Sequence, residues 1–413
     1  MRVLLYYNHE QTLGHSNRTI ALACQLKQDG HETLVINGGQ PQDFLSYFNV
    51  NIRVLPSPKT GRKNFYAKNS YVIGEDGLTQ RINAFRTIID EFNPDIFVTE
   101  FFPFGRMGDR SLLLPIISYV KKLNKSAKII GSIGYPMISD LAKRVISQST
   151  FYDKILIHTP NGLDNKYVEK LYGFFKDGVH LLNNHYNVFD TLKDKICYTG
   201  YIINKFKKTN NASNPNDINI SGRPNSNLSN QLNLKNRIFV LVSRGGGVFY
   251  PGIILKAILA KKYLEKQGYN IVLVAVTGPA TSDKESILFN KIALKSPDVI
   301  FKTFIPNFID YLSLCDMSLS MAGYNTSVEL LWLKKKCIVF PIETKGRFAD
   351  LEQAYRGILL KKHLNASVLD VRKATPKEIA EHIKLQLSST EKANVNDDWF
   401  NGLKNSVKEL VGP

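Results

Sequence analysis

At 413 residues the chain exceeds what one hydrophobic core usually supports, so it reads as two domains of roughly 200 residues each. Its 43% hydrophobic and 22% charged content is globular, and no run approaches the roughly 18 apolar residues of a spanning helix. The 54 Lys and Arg against 36 Asp and Glu leave a net +18, a field that favours nucleotides or an anionic membrane face; with no zinc-finger or RNP pattern beside it, nucleic acid is not expected as a partner.

The first run, Arg2-Val3-Leu4-Leu5-Tyr6-Tyr7, has the pattern of a buried strand. It is too short for a signal peptide and leads straight into polar residues, so a cytoplasmic protein is expected. After a loop, Ser16 to Gln28 places Ile20, Ala23, Cys24 and Leu26 on one helical face that stops at Gly30, and Glu32 to Ile36 is the next strand. Alternation continues with a helix from Leu78 to Phe92, a strand from Asp95 to Thr99 and a helix from Ser111 to Leu123. A strand from Lys128 to Ile133, a helix from Ile138 to Gln148 and a strand from Lys154 to His158 follow. This is the pattern of an α/β domain with a mostly parallel sheet.

From Lys205 to Asn236 the composition turns to Asn, Ser, Lys and Pro, which reads as a flexible linker. The alternation then restarts. Strands are expected at Ile238 to Ser243, Ile271 to Val276, Val299 to Phe304, Met317 to Met321 and Cys337 to Ile342. Helices are expected at Ile253 to Gln267, Thr281 to Lys295, Phe308 to Cys315, Val328 to Leu333 and Ala349 to Lys361, with two more at Pro376 to Leu387 and Trp399 to Leu410. The resulting fold class is α/β, two Rossmann-like domains facing a central cleft: 1–203, a linker 204–236, 237–395, and a C-terminal helix within 396–413 that packs back on the first domain. Cys24, Cys197, Cys315 and Cys337 lie far apart in apolar surroundings with no CxxC pair, so they are expected as buried, reduced thiols and not as metal ligands.

Five stretches fall at carboxyl ends of predicted strands. In Gly14-His15-Ser16-Asn17-Arg18 the glycine permits a tight turn and His15 falls at a helix N-terminus, whose positive end favours the neutral imidazole of a general base; a capping residue with a solvated histidine is the plain alternative. In Thr99-Glu100-Phe101-Phe102-Pro103-Phe104-Gly105-Arg106, Glu100 is a carboxylate beside an aromatic wall, fit for a base, unless the aromatics are core and Glu100 pairs with Arg106 or Arg110. Ser243-Arg244-Gly245-Gly246-Gly247 opens a phosphate-sized space with a cation beside it. Ala322-Gly323-Tyr324-Asn325-Thr326-Ser327-Val328-Glu329 reads as a Gly turn followed by helix-capping residues, with Glu329 in the first helical turn, where it suits ribose hydroxyls better than phosphate. Asp350 and Gln353, at the next helix start, can accept hydrogen bonds from sugar hydroxyls. No DxD motif occurs, so no metal and no cofactor are expected.

These residues, with Tyr198-Thr199-Gly200-Tyr201, Phe304-Ile305 and Glu352-Gln353-Ala354-Tyr355-Arg356, resemble the two-Rossmann-domain (GT-B) glycosyltransferases. The resemblance covers nearly the whole chain. It is to the family 28-like peptidoglycan N-acetylglucosaminyltransferase and to glycosyltransferases with a Gly-His-x-x-Arg start. It implies a nucleotide-sugar donor, UDP-linked, held by the second domain. Ser243, Arg244, Gly245, Gly246, Gly323, Asn325, Thr326 and Ser327 then lie around the diphosphate, Ile305 beside the base, Glu329 on the ribose, and Asp350 and Gln353 on the donor sugar. It implies His15 and Glu100 as catalytic residues, and Gly14, Asn17, Arg18, Phe102 and Arg106 on the acceptor side. The transfer it implies is metal-independent and inverting, onto an acceptor hydroxyl that can be lipid-linked at an anionic membrane face. The chain departs from the pattern in lacking an Arg-Asp pair in Gly131 to Pro136, in carrying Tyr324, and in the length of its linker. Nucleotide-sugar hydrolases and epimerases share the fold and the donor site, and a catalytically silent nucleotide-sugar binder is a further alternative.

Overall fold

Runs of Val, Ile, Leu and Phe too short for helices become strands buried on both faces, as a parallel sheet covered by helices requires. The computed structural model describes residues 1–8, 13–39, 45–46, 48–56, 75–105, 107–135, 141–162, 165–173, 177–205, 226–246, 250, 252–342 and 351–412. They fall into two units, Met1–Lys208 with Asp398–Pro413, and Thr209–Asp397. Each is Rossmann-like, a parallel sheet with helices packed on it.

In the first unit the strands are β1 (Arg2–Tyr7), β2 (Glu32–Asn37), β3 (Ile52–Val54), β4 (Ile96–Glu100), β5 (Lys128–Ile133), β6 (Lys154–Ile157) and β7 (Ile196–Tyr198). Their order is β3-β2-β1-β4-β5-β6-β7, every pairing parallel. The order reverses between β1 and β4, and that is where an open α/β sheet leaves a crevice at its carboxyl edge. The helix Leu13–Gln28 follows β1 and buries Ile20, Ala23 and Leu26 against Val3, Leu5 and Val98. The last helix, Gly402–Val411, joins the same core through Val407 and Leu410. Its entry is close-fitted: a Cβ on Gly402 would lie 2.2 Å from the Gly200 carbonyl oxygen, so only glycine passes there. The Tyr201 amide donates to the Trp399 carbonyl at 2.6 Å, and the Lys154 ammonium donates to the Glu409 carboxylate at 2.6 Å.

The second unit repeats the plan with β8 (Ile238–Ser243), β9 (Ile271–Val276), β10 (Val299–Lys302), β11 (Met317–Ser320), β12 (Cys337–Val339) and β13 (Ser367–Val368). The order is β10-β9-β8-β11-β12-β13, again all parallel, with the reversal between β8 and β11. Capping boxes at Ser282/Glu285 and Thr375/Glu378 start the helices Asp283–Lys295 and Pro376–Ser388. Among the described residues no helix is long and apolar enough to cross a membrane.

The segment read as a linker, 204–236, includes a helix. Residues 206–225 lie outside the described residues, but Ser226–Gln231 is a helix, because Leu228 and Leu232, one turn apart, are buried. Helices Asn165–Tyr172 and Gly178–Thr191 and the short strands β3, β7 and β13 are additions to the expected elements. Of the expected helix from Ile138, the described part is Ala142–Ser149. Cys24, Cys315 and Cys337 are buried free thiols, whereas Cys197 is only half-buried.

Candidate functional site

At the first unit's reversal point, the helix after β1 and the end of β4 bring His15 and Glu100 together. His15 is the third residue of its helix, and its Nδ1 lies 3.0 Å from Glu100 Oε1. Beside an ionised carboxylate Nδ1 carries the hydrogen, which leaves Nε2 as the proton acceptor. The imidazole is 17% exposed while the Glu100 side chain is 1% exposed, so the histidine is the member of the pair that reaches solvent. Arg18, one turn further along the helix, is ion-paired with the same carboxylate oxygen, and Ser132 Oγ donates to the other at 2.7 Å. Burial alone would push the Glu100 carboxyl up, but the Arg18 charge and the hydrogen bond and charge of His15 outweigh it and hold the group down at about 2.

The loop after β4 shapes the wall beside His15. Phe101 has φ +73°, its amide donates to the Ser132 carbonyl at 2.7 Å, and its ring lies over Gly105, where a Cβ would come within 2.0 Å of it. That ring sits 4.9 Å from the imidazole and is half-buried, so it is the aromatic available for stacking. Phe102 follows through a cis bond to Pro103, is 1% exposed and packs toward Tyr152, so it is core and not acceptor wall.

Several expectations change here. Glu100 is buried and ion-paired with Arg18. Arg18, placed on the acceptor side by the resemblance, is 4% exposed and ion-paired with Glu100. Asn17 accepts from the Asn204 amide at 2.6 Å. Gly14 lies within the helix, and a Cβ there would meet nothing within 4 Å, so no tight turn requires it. Arg106 is outside the described residues.

In the second unit the two turns at the reversal point are tied together. Ser243 and Ser320 face each other in register at the ends of β8 and β11, and the Met321 amide donates to the Ser243 carbonyl at 3.3 Å. Gly245 has φ +66°, which favours glycine, and Gly246 accepts from the Ala280 amide at 3.0 Å. The helix Tyr324–Trp332 is capped by Gly323 with no side-chain cap bond; the Ser327 amide returns to the Gly323 carbonyl at 3.0 Å. Helix geometry leaves the first-turn amides, at Tyr324, Asn325 and Thr326, without an intrahelical acceptor. The hydroxyls of Ser320 and Ser327, 1% and 2% exposed, have no hydrogen-bond partner. Among the described residues, a Cβ on Gly323 or Gly245 would meet nothing within 4 Å.

The helix starts earlier than expected: Asn325, Thr326 and Ser327 are inside it, not capping it. Glu329 therefore stands in the second turn and is 8% exposed. Arg244 is held inside the second unit. Its guanidinium is buried and donates to the Thr277 carbonyl at 2.5 Å, to Glu285 Oε1 at 2.6 Å and to Thr281 Oγ1 at 3.0 Å. Arg244→Ala is expected to lower stability by about 1.5–3 kcal/mol, the cost of a lost charged hydrogen bond, read as a fall in the urea midpoint. A variant that kept its midpoint and lost nucleotide affinity would return Arg244 to the phosphate.

Ile305, after β10, is 5% exposed. Gln353 accepts from the Ile342 amide at 3.2 Å, which fixes the start of the helix Leu351–Leu364; Asp350 and Gly247 lie outside the described residues. Arg356, not singled out from the sequence as a site residue, donates from Nε to the Ala322 carbonyl at 2.7 Å and so braces the turn before Gly323. Among the described residues no three His, Cys, Asp or Glu side chains are grouped so as to hold a metal ion.

The glycosyltransferase family 28 C-terminal domain matches residues 251–410, less than half of the chain. No curated protein matches the sequence. Solved structures align along its whole length. The UDP-GlcNAc 2-epimerase of Methanocaldococcus jannaschii is 12% identical, with 100% of both chains covered and a TM-score of 0.58. The glycotransferase of kitacinnamycin is 12% identical, with 100% of this chain and 99% of that one covered and a TM-score of 0.60. MurG of Acinetobacter baumannii is 11% identical, with 100% and 96% covered and a TM-score of 0.51. At such identities the likeness is one of architecture, and by architecture the chain is a GT-B fold protein built from two Rossmann-like units.

Proposed function

We propose that the protein is a glycosyltransferase that moves a sugar from a nucleoside diphosphate sugar, UDP-linked, to an acceptor hydroxyl. The observation that carries this reading is the start of the helix Tyr324–Trp332, which has no side-chain cap bond, together with the buried hydroxyls of Ser320 and Ser327, unpartnered among the described residues. Amide donors, helix dipole and spare hydroxyls together suit a diphosphate, and they stabilise the charge that develops on it as the sugar leaves. The family 28 match over this half of the chain supports the same assignment.

In this mechanism Thr326, Ser327 and the first-turn amides hold the diphosphate, while the backbone at Gly245 and Gly246 comes close to it. Ile305 lies beside the base, and Glu329 accepts hydrogen bonds from the ribose. Gln353 and Asp350 bind the donor sugar. His15 Nε2 takes the proton of the acceptor hydroxyl, whose oxygen attacks the anomeric carbon with inversion, and the nucleoside diphosphate leaves without help from a metal.

The likeness to a UDP-GlcNAc 2-epimerase over its full length supports a second reading, in which the same donor site serves epimerisation or hydrolysis. One assay separates them. The purified protein is given a panel of nucleotide sugars, and nucleoside diphosphate and sugar products are followed with and without candidate acceptors. Transfer predicts release only when an acceptor is present; equal release without one points to hydrolysis, and a changed sugar configuration points to epimerisation. A thermal-shift screen with the same panel identifies the base and sugar, since a ligand that binds only the folded state raises the melting temperature.

A further inference from the structure

Behind Glu100 a line of polar groups runs along the carboxyl edge of the first sheet, one from the end of each successive strand. Ser132 comes from β5 and stands in register with Glu100 of β4; His158 follows β6, and Thr199 follows β7. All are buried: Glu100 3%, Ser132 2%, His158 0% and Thr199 2% exposed. We propose that Ser132, His158 and Thr199 are positioning residues that act through Glu100 to set how readily His15 takes a proton.

The direction of each hydrogen bond follows from the one before it. Ser132 commits its only hydroxyl hydrogen to Glu100 Oε2 at 2.7 Å, so its oxygen must accept from His158 Nε2–H at 2.9 Å. That tautomer leaves His158 Nδ1 as an acceptor, and Thr199 Oγ1 donates to it at 2.9 Å; Ser406 Oγ of the last helix lies 3.4 Å from the same nitrogen and donates instead to the Gly402 carbonyl at 2.5 Å. The contacts of Thr199 Oγ1 with the carbonyls of Gly200 and Ile157 are longer, at 3.2 and 3.4 Å. Every donor therefore points toward the carboxylate, an arrangement in which each bond polarises the next. It needs a neutral imidazole. Burial, and to a smaller extent Arg18, hold His158 down at about 3 against the opposing pull of Glu100.

At the Glu100 end of the line His15 is 17% exposed. Among the described residues, the charged and titratable groups that bear on Glu100 are Arg18 and His15 from the first helix and His158 from the end of β6. Arg18 and Ser132 each draw charge from the carboxylate. With the Ser132 hydroxyl gone, more negative charge faces His15, its imidazolium is held more firmly, and it gives up its proton at a higher pH. A merely structural serine would not have this effect.

The catalytic meaning of the line rests on His15 being the base of the proposed transfer, but its test does not. Protein labelled with 15N and 13C in the histidine rings is titrated by NMR, with His15→Gln assigning the His15 signals. Ser132→Ala is expected to raise the His15 midpoint by roughly half to one pH unit, and the acid limb of kcat/KM with it, while Ser132→Thr, which keeps the hydroxyl, restores both. In the unmutated protein His158 is expected as the neutral Nε2–H tautomer at pH 6. An unmoved His15 midpoint in a folded Ser132→Ala protein overturns the proposal, as does a charged or Nδ1–H His158, which needs no variant to observe. A moved midpoint in a protein that transfers no sugar sustains the line and removes the transferase reading instead.

Discussion

Replacing His15 by alanine is expected to lower turnover by about 10²–10⁴-fold, the contribution of one positioned general base, while nucleotide affinity stays nearly intact. The separation follows from where the groups reside. His15 belongs to the first unit, and the helix Tyr324–Trp332 and the hydroxyls of Ser320 and Ser327 belong to the second. Turnover measured against nucleoside diphosphate affinity by calorimetry checks it. Equal losses in both would mean that His15 helps to hold the donor, and unchanged turnover would remove it from the mechanism.

The second large effect is on stability. Glu100→Gln keeps the side-chain shape but leaves the Arg18 guanidinium, 4% exposed, without its anion. Breaking a buried pair in this way is expected to cost about 3–5 kcal/mol. The acid response of the unmutated protein should show the same pair. His158 and His185 are held by burial at about 3 and about 4, below the ordinary 6.5, so the unfolded chain takes up protons first and stability falls as pH drops below 6.5. Glu100 adds a second stage: its contribution is full above the ordinary 4.5 and is lost as pH falls toward about 2. Urea midpoints measured from pH 7 to pH 2 should show both stages in the unmutated protein and lose the lower one in Glu100→Gln. A lower stage that survives the substitution would place the linked carboxylate elsewhere.

The α/β alternation was legible because strands buried on both faces are nearly uninterrupted apolar runs. Arg2–Tyr7, Lys128–Ile133, Ile238–Ser243 and Ile271–Val276 were read to their observed ends. Short edge strands such as β3 and β13 carry too little apolar signal, and the helix Ser226–Gln231 is buried through only two leucines in a polar stretch. That His15 and Gly323 fall at strand-to-helix junctions could be read because an apolar run that gives way to glycine and polar residues marks the end of a strand. What Arg244 and Glu100 do could not be found, since the destination of a guanidinium or carboxylate depends on strands distant in sequence: Thr277 and Glu285 for one, Arg18 and Ser132 for the other. Ser132, His158 and Thr199 carry no motif; only the register of β4 to β7 aligns them. A polar residue closing each of four apolar strands was the available signal.

The return of Gly402–Val411 to the first unit bears on the order in which the chain matures. During synthesis the first 200 residues emerge long before the segment that covers Ile20, Ala23 and Leu26 and brings Ser406 to His158. The first unit thus waits, with part of its apolar face bare, until the whole second unit has been made, whereas the second unit is contiguous and depends on nothing that follows it. A chain that stops before this helix keeps a contiguous second unit and an unfinished first one, with bare apolar surface of the kind that chaperones and proteases capture.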